Sequence, residues 1–192
     1  MTIAVVRRSA WRPTAWKNGG GTTSEIWVHP RGASLDDFLW RVSAARVQAD
    51  GPFSLFAGVD RTLTLLEGIE LDLQGEQFGS IMLTETSAPF TFAADGAVQG
   101  RLPNGGAVLD FNVMSRRGHI RHSVEAIVLA GVLSRPASAG FHIVLCRTGS
   151  LFISCETQTI TLDKYDTAMI EPGREFSMQG DGSAALVVQL SA

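Results

Sequence analysis

The sequence predicts an all-β protein built from two similar lobes. Short apolar or alternating runs recur along the chain, and turn residues punctuate them at close intervals. No stretch keeps a helical period for long. A faint internal repeat supplies the second lobe.

Strand-like runs fall at residues 25–28, 39–47, 62–66, 70–73, 99–102, 108–114, 127–133, 143–145, 151–153, 159–162 and 167–170. Between them stand Asp50-Gly51-Pro52, Glu67-Gly68, Asp95-Gly96, Pro103-Asn104-Gly105-Gly106, Thr148-Gly149, Pro172-Gly173 and Gly180-Asp181-Gly182. These residues preset φ or tolerate its positive values, so each cluster reads as a turn. Residues 34–38 suggest one helical turn, with Ser34 as N-cap before Asp36 and Asp37. The want of longer helices argues against a βαβ dinucleotide-binding fold. The repeat pairs Leu63 to Gly68, Leu71 to Leu73 and Leu83-Thr84 with Ile143 to Gly149, Leu151 to Ile153 and Leu162-Asp163. Each copy reads strand, tight turn, strand, loop, strand. The expected lobes are residues 1–120 and 121–192, one compact unit with strands free to exchange between them.

The chain of 192 residues is 45% hydrophobic and 18% charged, with a net charge of −3. That balance can bury a core and excludes disorder. It offers no basic excess for phosphate neutralisation, so no nucleic-acid partner is expected. No run approaches roughly 18 apolar residues, so no membrane span is expected. At the N-terminus a short apolar run precedes Arg7-Arg8, the reverse of a secretory signal. Cys146 and Cys155 lie in apolar surroundings, and a hairpin turning near Thr148-Gly149 would not set them opposite one another. Buried free thiols in a cytoplasmic protein are the expected reading.

Motifs for metal and nucleophilic chemistry are weak. His29, His119, His122 and His142 form no ligand cluster, and His119 and His122 would face opposite sides of a strand. No metal or other cofactor is expected, and no catalytic residue is assigned. There is no Gly-x-Ser-x-Gly elbow. The run Asn18-Gly19-Gly20-Gly21-Thr22-Thr23 has its Lys17 on the wrong side for a Walker loop. It reads either as a turn or as backbone N–H groups open to a small anion.

Two segments carry polar stripes. Alternation puts Arg41 and Ser43 on one face, opposite Trp40, Val42 and Ala44. It likewise groups Asp110, Asn112, Met114 and Arg116 opposite Phe111 and Val113, and sets Glu25 beside Thr23 and Trp27. Parity alone leaves two readings open: solvent faces, or the inside of a barrel that holds a polar ligand.

Several blocks resemble a known family. Trp16-Lys17-Asn18-Gly19-Gly20-Gly21-Thr22-Thr23-Ser24-Glu25-Ile26 is similar to the opening signature of the HutD/Ves family. The likeness continues through Trp40-Arg41-Val42-Ser43-Ala44-Ala45, Gly51-Pro52-Phe53-Ser54-Leu55-Phe56, Gly58-Val59-Asp60-Arg61, Leu65-Leu66-Glu67-Gly68 and Asp110-Phe111-Asn112-Val113-Met114-Ser115-Arg116-Arg117. Residues 162–176 resemble the second motif of cupin barrels, but Tyr165 replaces its Gly and Phe176 stands where its metal-binding His would be. The resemblance implies a bicupin, two fused cupin-like β-barrel lobes of the RmlC-like jelly-roll type, often homodimeric and without the usual cupin metal. It implies a non-enzymatic governor of bacterial histidine utilisation that binds an acidic intermediate such as formylglutamate or urocanate. The Ves branch is tied more loosely to stress responses.

A small dicarboxylate with a formamide group needs cations, preferably arginines, and an amide or hydroxyl. The candidate ligand-binding residues are Lys17, Asn18, Glu25, Arg41, Ser43, Arg61, Asp110, Asn112 and Arg116. Arg41, Arg61, Arg116 and Lys17 would meet carboxylates, and Asn18, Ser43 and Asn112 the formamide. Glu25 and Asp110 would keep the arginines paired in an empty pocket. Trp40 and Phe53 either wall the pocket or fill the core. Two other readings are carried: a cofactor-free isomerase or hydrolase with Glu25 or Asp110 as general base, and an interaction subunit with a vestigial pocket.

Overall fold

The computed structural model describes residues 3–192. In chain order the strands are β1 (Ile3–Val6), β2 (Pro13–Ala15), β3 (Gly21–His29), β4 (Trp40–Val47), β5 (Gly51–Pro52), β6 (Val59–Glu67), β7 (Leu71–Gly75), β8 (Gly79–Leu83) and β9 (Phe90–Ala93). They continue as β10 (Val98–Arg101), β11 (Val108–Arg116), β12 (Arg121–Arg135), β13 (Phe141–Thr148), β14 (Leu151–Cys155), β15 (Gln158–Leu162), β16 (Thr167–Ile170) and β17 (Phe176–Ser191). The architecture is all-β, as the alternating runs predict. A short 3-10 turn at Arg8–Ala10 is the one helical element among the described residues. Residues 34–38 form a turn rather than a helix. There the Ser34 hydroxyl accepts from Asp36 N–H at 3.2 Å, and Ser34 N–H donates to Asp37 at 2.5 Å.

The chain divides into two compact units, residues 12–121 and residues 122–192 together with the N-terminal segment through Trp11. The N-terminal segment joins the second unit because β1 pairs with β16, Ile3 opposite Ile170. The Arg7 guanidinium also reaches Asp166 at 2.7 Å.

In residues 12–121, one sheet runs β2-β3-β4-β11-β6-β9 and a second runs β5-β10-β7-β8. Val47, Leu63, Leu65, Leu71, Leu73 and Val98 pack one core between inward faces. In the other unit β1-β16-β13-β17-β14-β15 form one sheet, with β12 also on β17. Val144, Leu151, Ile153, Leu162, Ile170 and Val187 make its core.

The internal repeat has a topological basis. β6 pairs with β9 and β11, and β7 with β8 and β10. In the other unit β13 pairs with β16 and β17, and β14 with β15 and β17. The single long β17 therefore does the work of β10 and β11 together. The sequence places a turn at Gly180-Asp181-Gly182, yet these residues lie inside β17. They fall where β17 leaves β14 and takes up β13, and Gly182 has a positive φ of 70°. The turns after β6 and β13 are not hairpins. Each passes the chain between strands that do not pair with one another, through Gly68 (φ 109°) or Gly149 (φ 72°). Cys146 and Cys155 are both buried and free.

Among the described residues no helix is long and apolar enough to cross a membrane.

Candidate functional site

Register assembles the site within residues 12–121. On β4, Arg41, Ser43 and Ala45 point to one side because successive residues alternate. Asn112 of β11 lies opposite Ser43, and Met114 opposite Arg41. Met114 also lies opposite Arg61 of β6. From β3, Glu25 stands opposite Ser43. A cavity of about 1010 Å³ opens over this face. It is lined by four cations, Arg12, Lys17, Arg41 and Arg61, against one carboxylate, Glu25.

Arg41 and Arg61 are each held in place. Arg41 Nε donates to Glu25 Oε2 at 2.9 Å, and its Nη1 to Ser43 Oγ at 3.3 Å. The Arg61 guanidinium lies 4.6 Å from the centroid of the Phe53 ring. Its Nε donates to Asn112 Oδ1 at 2.7 Å, and its Nη2 donates to the same oxygen. Asn112 then turns its amide Nδ2 to Asp110 Oδ1. An asparagine can do this because one end only accepts and the other only donates. It couples a cation on one side to a carboxylate on the other.

Asp110 is 0% exposed, and its Oδ2 has no hydrogen-bond partner. Burial pushes its carboxyl up to about 7, against the pull of Arg61, the Asn112 amide and the Ala45 N–H. Burial likewise brings Arg61 down to about 10, with Asp110 opposing and Arg41 adding to the effect. Arg61 therefore keeps its charge at neutral pH.

Of the sequence-nominated residues, Lys17, Asn18, Glu25, Arg41, Ser43, Arg61 and Asn112 line the cavity. Asp110 shares their face but sits behind Asn112 and is not a wall. Arg116 is not a wall either. It stands at the end of β11, where its Nε donates to Phe38 O at 3.1 Å and its Nη2 to Asp36 O at 2.8 Å. Its role is to tie the 34–38 turn to the strand. Phe53 lines the cavity, whereas Trp40 faces away, 2% exposed and stacked on His29.

Trp27 does not share the face of Glu25, as strict alternation requires. A bulge between them sets Trp27 opposite Val42, on the far side of the sheet. The glycine run 19–21 builds a turn and a close strand contact. Gly20 N–H donates to Asn18 Oδ1 at 3.1 Å, and a Cβ on Gly21 would stand 2.3 Å from Arg46 O. Sequence reasoning missed Arg12, Thr14 and Phe56 as cavity walls. Pro13 hid the short β2, which pairs with β3 and carries Thr14. Among the described residues no group of three or more His, Cys, Asp or Glu is placed to hold a metal.

The HutD family model matches residues 8–188. Protein Ves of Citrobacter koseri is 42% identical over 110 residues, which is 57% of this chain and 56% of that protein. The chain thus spans little over half the length of the curated relative it matches. Among solved structures, the conserved protein of unknown function PA5104 from Pseudomonas aeruginosa PAO1 is 27% identical with a TM-score of 0.90, covering 99% of both chains. HutD from Pseudomonas fluorescens SBW25, solved in a formate condition, is 26% identical with a TM-score of 0.82, covering 98% of both. A cupin conserved-barrel protein from Leptotrichia buccalis, 8% identical, has a TM-score of 0.64 and covers 98% of this chain and 96% of its own. That last likeness is one of fold alone.

Proposed function

The chain belongs to the HutD family, and from that premise we propose that it is a non-enzymatic binding protein whose cavity takes a small carboxylate metabolite. The ligand class is an acidic intermediate of histidine breakdown, such as formylglutamate or urocanate. The observation that carries the reading is the charge of the cavity wall: four cations against one carboxylate. A wall of that balance favours an anion. Arg41 and Arg61 are held in fixed orientations before any ligand arrives, so little side-chain entropy is lost on binding. Asn112 and Ser43 supply amide and hydroxyl groups beside them.

Binding rather than catalysis is favoured by where the carboxylates lie. A general base must come within hydrogen-bond reach of the proton it removes. Asp110 is screened by Asn112, and Glu25 is tied to Arg41.

Calorimetry and thermal shift with formylglutamate and urocanate test the reading, with glutamine and histidine as controls of lower net negative charge. A ligand at 100 times its Kd should stabilise the protein by about 2.7 kcal/mol. Arg41→Ala and Arg61→Ala should each weaken binding at least about 100-fold, since a charge-assisted pair contributes roughly 3 kcal/mol. The acids should be recovered unchanged after incubation, as read by NMR. Binding of glutamine or histidine in preference to the acids would overturn the proposal, and so would turnover.

A further inference from the structure

Behind the cavity wall lies a buried carboxylate that no ligand can touch. Asp110 Oδ1 accepts from Asn112, Asn112 accepts twice from Arg61, and Arg61 faces the cavity. The other oxygen, Oδ2, has no hydrogen-bond partner and no access to water. A buried ionised carboxylate in that position is held mainly by the charge of Arg61.

We infer that the cavity and Asp110 form one proton-coupled unit: an anion that pairs with Arg61 is taken up together with a proton that settles on Asp110. The inference rests on the anion-binding reading above and adds a residue that governs it. The argument is electrostatic. With the cavity empty, Arg61 serves one anion, Asp110. A second anion in the cavity shares the same cation and adds its own repulsion. Protonation of Asp110 relieves this by forming one O–H bond at the cost of one proton from the bulk buffer. A neutral O–H in a dry site is cheaper to hold than a carboxylate.

The charged groups around Asp110 allow the effect. From β6 comes Arg61, the cation that acts on it directly. From β4 comes Arg41, which acts on Arg61, and from β3 comes Glu25, which holds Arg41. The residues opposite Asp110 itself are Ala45 and Leu65, which carry no charge. The empty-site carboxyl titrates at about 7, so a proton is available to be gained near and above neutral pH. Below about pH 6 the group already holds its proton and the coupling fades.

The test is calorimetry of formylglutamate in buffers of different ionisation heat, at matched pH from about 6 to about 8.5. The expected result is buffer-dependent heat that corresponds to proton uptake, growing toward one proton per site as pH rises. Affinity should fall over the same window, up to tenfold per pH unit at full coupling. Asp110→Asn should bind with no proton uptake and a flat profile. Infrared difference spectra of the unaltered protein give a check that needs no variant: adding the acid at about pH 7.5 should raise a protonated-carboxyl C=O band. Binding without proton uptake overturns this inference and leaves the anion reading standing. Uptake that persists in Asp110→Asn also overturns it. No binding at any pH overturns both.

Discussion

Asp110 makes the protein's stability respond to pH in an unusual direction. Its folded carboxyl titrates at about 7, well above the range of an exposed aspartate, because burial outweighs Arg61. Between about pH 4 and pH 7 the folded state therefore holds a proton that the unfolded chain releases. Stability from this group is fully present below that window and is lost as pH rises through it. Urea unfolding across the window should show the unaltered protein losing stability relative to Asp110→Asn, by an amount on the order of a few kcal/mol. An unchanged difference would mean that Asp110 stays ionised throughout. The cysteines make a second residue-scale case. Burial, with Asp163 and Asp166 nearby, pushes the Cys146 thiol up to about 11, and burial also raises Cys155. Thiol reagents at about pH 8 should leave both untouched in the folded protein and titrate both after unfolding. Parity made the polar stripe legible in the sequence: Arg41, Ser43 and Asn112 had to share a side once their strands paired. What parity does not carry is depth. Asp110 and Arg116 have the right face, but one lies under a neighbour and the other lies beyond the sheet's inner surface, clamped to a turn.

At the scale of the element, β3 is where local rule and fold part company. Its bulge after Glu25 sends Trp27 to the face of Val42, so one inserted residue decides which side chains the cavity receives. Nothing in the run Ser24-Glu25-Ile26-Trp27 marks the insertion, because bulges are set by the partner strand. The glycines that precede it are more explicit. A methyl at Gly21 would stand 2.3 Å from a backbone oxygen that is fixed in β4. Gly21→Ala should cost at least about 2 kcal/mol in urea unfolding. It should also weaken ligand binding, since Thr23 and Glu25 follow on the same strand. In the other unit Asp166 accepts from Arg7 Nη1 at 2.7 Å, Arg8 N–H at 2.8 Å and Asp163 N–H at 3.2 Å. Burial alone would raise this carboxyl, but the three donors and the Arg7 charge together hold it below the ordinary range. Asp166→Asn should cost about 2 kcal/mol at neutral pH. The difference should shrink as pH falls through the folded titration, because a depressed carboxyl loses its contribution there.

For the whole molecule, the repeat was legible because Gly68 and Gly149 punctuate matching apolar runs. The merger of two strands into β17 was not, because Gly180-Asp181-Gly182 has the composition of a turn, yet the strand runs on through it from its pairing with β14 to its pairing with β13. The N-terminal segment was equally hidden. Its four strand residues look too short to matter, yet Ile3 is 4% exposed in the core of the unit formed by residues 122–192. Deleting residues 1–11 removes that burial, the pairing with β16 and the Arg7 contact. The loss should reach at least about 3 kcal/mol for that unit by urea unfolding. The same pairing imposes an order of events on biosynthesis. Ile3 to Val6 leave the ribosome well before the residues they pair with, Thr167 to Ile170. At 5–20 residues per second, Val6 waits roughly 8–32 s for Thr167. Residues 12–121, with every strand of the cavity, emerge within that interval, so the cavity can form while β1 is still unpaired.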